Sequence, residues 1–291
     1  MTIGVVGLGL IGGSIGLALR DPDHQIIGFD PSEANSKLAL DRFCSDRLGT
    51  LEEVSQAEVV FVAAPPAKVV EVLTLVCQVK GENTIVTDCT SVKRPVADWA
   101  MESKQSLFVP GHPMAGHEKS GPGFASAWMF RGAKWIISPL PITDEKALKK
   151  VEELAQAMGA IPVRIPADHH DRHVAVVSHL PHALAGLLVQ LASELDNKDI
   201  SGGSWRDLTR VGGVDPGLWT QIFLANRVEL GRALGDMAMD LAKLQKEVVD
   251  GDEEAIFAFF KEAQKAAAKQ KVAQAQPETA VAKGSKVRKR T

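Results

Sequence analysis

His112 lies in the segment Gly111-His112-Pro113-Met114-Ala115-Gly116, far downstream of a second glycine-rich segment built for a different purpose. That earlier segment is Gly7-Leu8-Gly9-Leu10-Ile11-Gly12, directly behind the apolar run Ile3-Gly4-Val5-Val6. Gly7 permits a tight turn, Gly9 lets the backbone approach a pyrophosphate, and Gly12 lets a helix pack closely on a strand. A helix opening at Leu10 and Ile11 would point its unpaired N–H groups and positive dipole end at the phosphates. This spacing, after a strand and before a helix, marks a dinucleotide site. Imidazole is the side chain whose ordinary pKa suits proton transfer near neutrality. A dinucleotide site and such a group in one chain point to hydride transfer assisted by a base.

A further strand-like run, 25–29, ends at Asp30. A carboxylate there can accept hydrogen bonds from the adenosine ribose and would repel a 2′-phosphate. Pro31, Ser32 and Glu33 follow without an Arg or Lys, so NAD is favoured over NADP. The plainer role for Asp30 is a turn residue ahead of Pro31. Pro65, with Pro66, either lines the adenine or ribose side or simply terminates its strand.

The elements that must position these residues come from the alternation of β-branched runs with amphipathic stretches. Strands are expected at 3–6, 25–29, 59–64, 84–87, 106–109, 135–137 and 161–165, with helices between them. This alternation argues for βαβ units and a mostly parallel sheet. Near Pro166 the pattern changes. Asp168 reads as an N-cap with Asp171 three residues on, opening a long apolar helix over 169–195. Further helices are expected at 205–211, 216–249 and 252–269. The fold class is therefore α/β, an N-terminal Rossmann-type, mostly parallel sheet with a C-terminal all-helical domain. The expected division is 1–165 for the dinucleotide-binding domain, 166–270 for a helical substrate and dimerisation domain, and 271–291 for a disordered basic tail. Leu218, Ile222, Ala225, Val228 and Leu230 fall at helical spacing and read as core or subunit interface. Helices this long and apolar are poorly covered in one copy, which predicts a homodimer through the helical domain.

Composition limits the alternatives. The 291 residues are 45% hydrophobic and 24% charged, with a net charge of −3. That balance gives no general attraction to nucleic acid or an anionic membrane, and it suits a small-molecule substrate. No apolar run is expected to reach membrane-spanning length. The N-terminus enters its first strand at once, which leaves no place for a signal peptide. Cys44, Cys77 and Cys89 form no paired or metal-ligand spacing, in keeping with a cytoplasmic protein. His169 and His173 share a helix face, but Asp171 points elsewhere and Arg172 opposes a cation, so no metal is expected.

Four segments then follow in order: Asp88-Cys89-Thr90-Ser91-Val92-Lys93, the His112 segment, Ser178-His179-Leu180-Pro181-His182, and Arg206-Asp207-Leu208-Thr209-Arg210-Val211-Gly212-Gly213. With the glycine fingerprint, this set resembles the prephenate/arogenate dehydrogenase family of tyrosine biosynthesis. The resemblance implies an NAD(P)-binding domain, a dimer-forming helical domain, and oxidative decarboxylation of a cyclohexadienol. Hydride leaves ring C4, CO2 leaves C1, and aromatisation drives the reaction. On this resemblance His112 is the base for the C4 hydroxyl, and Ser91 bonds the same hydroxyl or caps the helix that follows it. Arg210 offers a planar fork to a carboxylate, its plainer role being a surface or helix-capping arginine. His182 binds substrate one helical turn after His179. Glu118 gates the pocket or senses a substrate amine, if it is more than a solvent-facing loop residue. His117 departs from the small hydroxyl residue common at its position.

Two other readings compete. A β-hydroxyacid-type dehydrogenase would carry a lysine on the interdomain helix, and the 169–195 segment has none. A non-catalytic NAD-sensing protein would have no need for Ser91, His112, His182 and Arg210 together.

Overall fold

The computed structural model describes residues 1–195 and 202–275. Six short runs form one parallel sheet: β1 (Thr2–Val6), β2 (Gln25–Phe29), β3 (Arg47–Leu48), β4 (Val59–Val62), β5 (Ile85–Asp88) and β6 (Phe108–Val109). Their order is β3-β2-β1-β4-β5-β6. The order reverses between β1 and β4, the switch point at which doubly wound sheets bind ligands. All four residues of β4, Val-Val-Phe-Val, are buried, as a strand covered on both faces requires. The helices of this half are α1 (Leu10–Ala18), α2 (Glu33–Asp41), α3 (Leu51–Ser55), α4 (Val69–Val79), α5 (Arg94–Glu102) and α6 (Glu145–Ala157).

The expected single sheet is in fact two. β7 (Gly111–Pro113), β8 (Lys134–Ile137) and β9 (Ile161–Arg164) form a separate mixed sheet, β7 antiparallel and β9 parallel to β8. Gly-His-Pro reads as a turn signal, yet here it is an edge strand, the position in a sheet that tolerates proline. Trp135 of β8 packs edge-on against Phe61 of β4 and Phe130, with centroids at 6.2 and 5.3 Å. One core cluster thus runs from Ile3, Val5 and Phe61 to Trp135 and Ile137. That packing holds the strand carrying His112 against the large sheet.

Beyond β9 the described chain is helical: α7 (Ala167–Val174), a π-helical segment (Ala175–His179), α8 (Leu180–Ser193), α9 (Gly203–Thr209), a 3-10 turn (Arg210–Gly213), α10 (Pro216–Ala225), α11 (Arg227–Asp250) and α12 (Glu253–Ala275). Pro166, not Asp168, is the N-cap of α7. Asp168 is exposed beside His169, while Asp171 turns inward to partners described below. The helix expected over 216–249 is broken at Asn226, whose buried side chain donates to the Asp171 carbonyl. Of the stripe on these helices, Ile222 and Leu230 are buried, whereas Leu218 and Val228 are exposed.

The continuous helical run Ala167–Ser193 has a mean hydropathy of 1.6 over its most apolar 18 residues. By length and composition it could cross a bilayer, contrary to the sequence expectation. In this fold His170, Asp171 and His179 of the same run are buried and hydrogen-bonded within the protein. The chain forms two compact units, Met1–Ala233 and Leu234–Thr291. The site described next lies wholly in the first. The expected basic tail lies, beyond Ala275, outside the described residues.

Candidate active site

The glycine loop joins β1 to α1, and its close approaches require glycine at two of its positions. Gly7 has φ +94°, and a Cβ there would lie 2.6 Å from the Ala63 carbonyl oxygen. A Cβ on Gly12 would lie 1.8 Å from the Gly7 carbonyl oxygen, so only glycine lets α1 sit this close. A Cβ on Gly9 would meet nothing within 4 Å. Gly9 is also the N-cap of α1 and offers no side-chain bond to the helix N–H groups. Open space before uncapped N–H groups suits a pyrophosphate. At the end of β2, Asp30 accepts from Leu8 N at 2.8 Å and from Ser32 N at 2.9 Å. It is therefore a turn residue, yet each of its oxygens keeps a lone pair for a ribose hydroxyl. Pro65 follows β4, which ends two residues earlier than expected, and its carbonyl accepts from Lys68 N ahead of α4.

His112, on the edge strand β7, is 9% exposed. Its Nδ1 lies 2.9 Å from Nε2 of the buried His170, and His170 Nδ1 lies 2.7 Å from Asp171 Oδ1. The Asp171 carboxylate also accepts from the backbone N–H groups of Lys93 and Arg94, at 2.7 and 2.8 Å. Those N–H groups open α5, where a helix leaves donors unpaired and favours negative charge. Asp171 thus caps a helix 78 residues away and anchors His170 with the same carboxylate. Burial, followed by the neighbouring His170, Lys93 and His179, holds the His112 imidazole well below its ordinary value.

The line continues through Asn226. Its amide donates to the Asp171 carbonyl at 2.8 Å and reaches His179 Nδ1 at 3.1 Å. His179 accepts there and so carries any proton on Nε2. Burial is the main cause of its pKa being pushed down to about 4. His179 meets the Trp219 ring edge-on at 6.2 Å, and Trp219 stacks on His182 with centroids 3.6 Å apart. His182 donates through Nδ1 to the Ser178 carbonyl at 2.8 Å, which leaves its Nε2 bare. Burial lowers its pKa, the Ser178 bond opposes this, and the Arg210 charge adds to the lowering. Arg210, in the 3-10 turn, faces Glu118 at 3.7 Å, both side chains being about two-thirds exposed to solvent.

The sequence-predicted residues therefore fall into two groups. His112 is linked to His182 by an unbroken set of contacts, Arg210 and Glu118 form a pair whose cation is felt at His182, and the glycine loop and Asp30 form a second cluster at the sheet's switch point. Ser91 sits partly exposed in the β5–α5 loop between them. It does not cap α5, whose N-cap is Lys93 without a side-chain bond. His170, Asp171 and Asn226 were not assigned to the site from sequence. In the sequence the His-His-Asp run suggests a metal cluster or, through Asp171, a helix cap, and nothing local to Lys93 marks a role for it.

The chain as a whole is similar to known proteins. A family model described as prephenate dehydrogenase, nucleotide-binding domain, matches residues 15–163. A second, described as prephenate dehydrogenase, dimerization domain, matches 166–262. The chain is 32% identical over 280 residues to prephenate dehydrogenase of Bacillus subtilis (strain 168), covering 90% of this chain and 74% of that protein. Among solved structures, prephenate dehydrogenase from A. aeolicus in complex with hydroxyphenyl propionate and NAD+ is 29% identical, with a TM-score of 0.84. That match covers 92% of this chain and 98% of the other. Synechocystis arogenate dehydrogenase is 28% identical with a TM-score of 0.80, covering 93% and 100%.

Proposed function

The chain belongs to the prephenate dehydrogenase family, and from that premise we propose how its residues carry out the reaction. It is an oxidoreductase that oxidatively decarboxylates prephenate, arogenate or both in tyrosine biosynthesis, with a nicotinamide cofactor. A bound nicotinamide would supply the hydride acceptor. The loop Gly7, Gly9, Leu10, Ile11 and Gly12 would hold its pyrophosphate, Asp30 its ribose, and Pro65 would border the adenosine side. Asp30 gives NAD the advantage over NADP, because its carboxylate is held at the end of β2 with no cation immediately after it.

The observation that carries the proton chemistry is the row His112, His170, Asp171. With both imidazoles neutral, His170 Nδ1–H donates to the carboxylate and its Nε2 accepts. His112 then holds its proton on Nδ1 and keeps Nε2 bare. That atom takes the C4 hydroxyl proton as hydride leaves, and the second imidazole with its carboxylate supports the positive charge, as in other base–orienter pairs. The proton returns to the phenol oxygen once CO2 has left C1. Ser91 bonds the same hydroxyl. Arg210 holds a substrate carboxylate, His182 binds the substrate beside it, and Glu118 gates access by pairing with Arg210. Residues 166–270 supply the substrate contacts and the homodimer interface, to which the exposed Val176, Val177, Leu187 and Leu191 would contribute. The enzyme acts in the cytoplasm, in keeping with three free cysteines.

Steady-state turnover of prephenate and of arogenate with NAD and with NADP, followed at the NADH band, tests this reading. Turnover of one or both substrates with higher kcat/KM for NAD is expected. Failure of both substrates, or a preference for NADP, would overturn the corresponding part.

A further inference from the structure

Lys93 is fully buried, and no step above uses its ammonium. Nζ donates to Asp88, to Thr90 Oγ1 at 3.1 Å, and to the carbonyl of Gly111, the peptide unit that leads into His112. Asp88, also fully buried, returns to the same strand by accepting from Gly111 N at 3.0 Å. The Lys93–Asp88 pair therefore grips both polar atoms of Gly111. The Lys93 backbone N–H meanwhile holds Asp171, the far end of the histidine row. One residue thus touches both supports of His112. A buried ion pair adds little net stability over a well-packed apolar replacement, so stability alone does not explain a cation in this place.

We propose that Lys93 is a positioning residue for His112: its ammonium fixes the Gly111 carbonyl, and its charge keeps the imidazole unprotonated and able to accept. The groups facing His112 from the packed elements are His170 and Asp171 of α7, His179 of the π segment, and the Lys93–Asp88 pair. Lys93 contributes an ammonium among them, and it lies one peptide unit away, on the Gly111 carbonyl. A cation so placed disfavours a second positive charge on His112. Without it the imidazole would be protonated, and idle, at a higher pH. The inference rests on the reading of His112 as the base.

The test is the pH dependence of kcat/KM in the full-length protein, whose acidic limb reports the essential base of the free enzyme. The double variant Lys93→Met/Asp88→Asn removes both charges, so no unpaired ion is left buried. Its backbone N–H still reaches Asp171. Its acidic limb should move up by about one pH unit, with folding confirmed by circular dichroism. A purely structural role would lower turnover equally at all pH values and leave the limb in place. A folded double variant with an unmoved limb would overturn the proposal. A double variant that does not fold would also overturn it, by assigning the pair to the scaffold. His112→Asn, measured alongside, separates the two failures. If it retains the wild-type limb, His112 is not the base; if the limb is lost there but unmoved in the double variant, only the role of Lys93 fails.

Discussion

At the scale of single residues, each imidazole in the site has at least one ring nitrogen engaged by a partner that sets its tautomer. Asp171 accepts from His170 Nδ1–H, Asn226 donates to Nδ1 of His179, and the Ser178 carbonyl accepts from His182 Nδ1–H. His182 therefore presents a bare acceptor, while Arg210 presents only donors. On the proposed roles their division of labour follows: Arg210 would meet a carboxylate directly, and His182 would need a protonated or hydroxyl partner or must itself take a proton. Arg210 is paired with Glu118 across an exposed 3.7 Å gap, an interaction of small net strength that a substrate can displace. Arg210→Ala should raise KM by the worth of a charge-assisted hydrogen bond, ~1.5–3 kcal/mol, with NAD affinity unchanged. Steady-state kinetics and cofactor titration check this, and an unchanged KM would leave Arg210 a surface residue.

At the scale of elements, the glycine loop offers a paired prediction. Gly12→Ala forces a Cβ onto the Gly7 carbonyl, so α1 must move away from β1, with a destabilisation of ~1–3 kcal/mol or more. Gly9→Ala puts its Cβ into open space, so the melting temperature should hold while NAD affinity falls. Thermal melts and cofactor binding of the two variants separate these effects, and the opposite pattern would refute the assignment of Gly9 to the pyrophosphate. This loop was legible in the sequence because its requirements are local: a strand, three glycines and a helix start. The parallel strands were legible for the same reason. The row behind His112 was not, because it exists only once α7 docks against the N-terminus of α5. Asp171 looked like part of a cap for its own helix, and instead caps another. The break at Asn226 was hidden too, since the gain is a tertiary bond to Asp171 rather than any local turn preference. β7 was missed because Gly-His-Pro carries turn residues, and only an edge position makes them a strand.

At the scale of the whole molecule, the buried histidines couple the site to stability. His112 and His179 are both lowered in the folded state, His179 to about 4. Unfolded imidazoles take up a proton near pH 6.5, so below that value the unfolded chain binds more protons and stability falls with pH. The decline should begin near pH 6.5 and continue towards 4, at up to ~1.4 kcal/mol per pH unit for each such histidine. Melting temperatures between pH 4.5 and 8 measure it, and a flat profile below pH 6.5 would contradict the burial of neutral imidazoles. In the proposed mechanism the same protons govern catalysis, with His112 as the base. Asparagine at that position keeps a polar group of similar size and removes the base, so kcat/KM for His112→Asn as a function of pH is the most direct measurement. The account predicts a loss of ~10²–10⁴-fold, with substrate and NAD still bound and the acidic limb gone. Near-wild-type turnover with the same acidic limb would show that the base lies elsewhere.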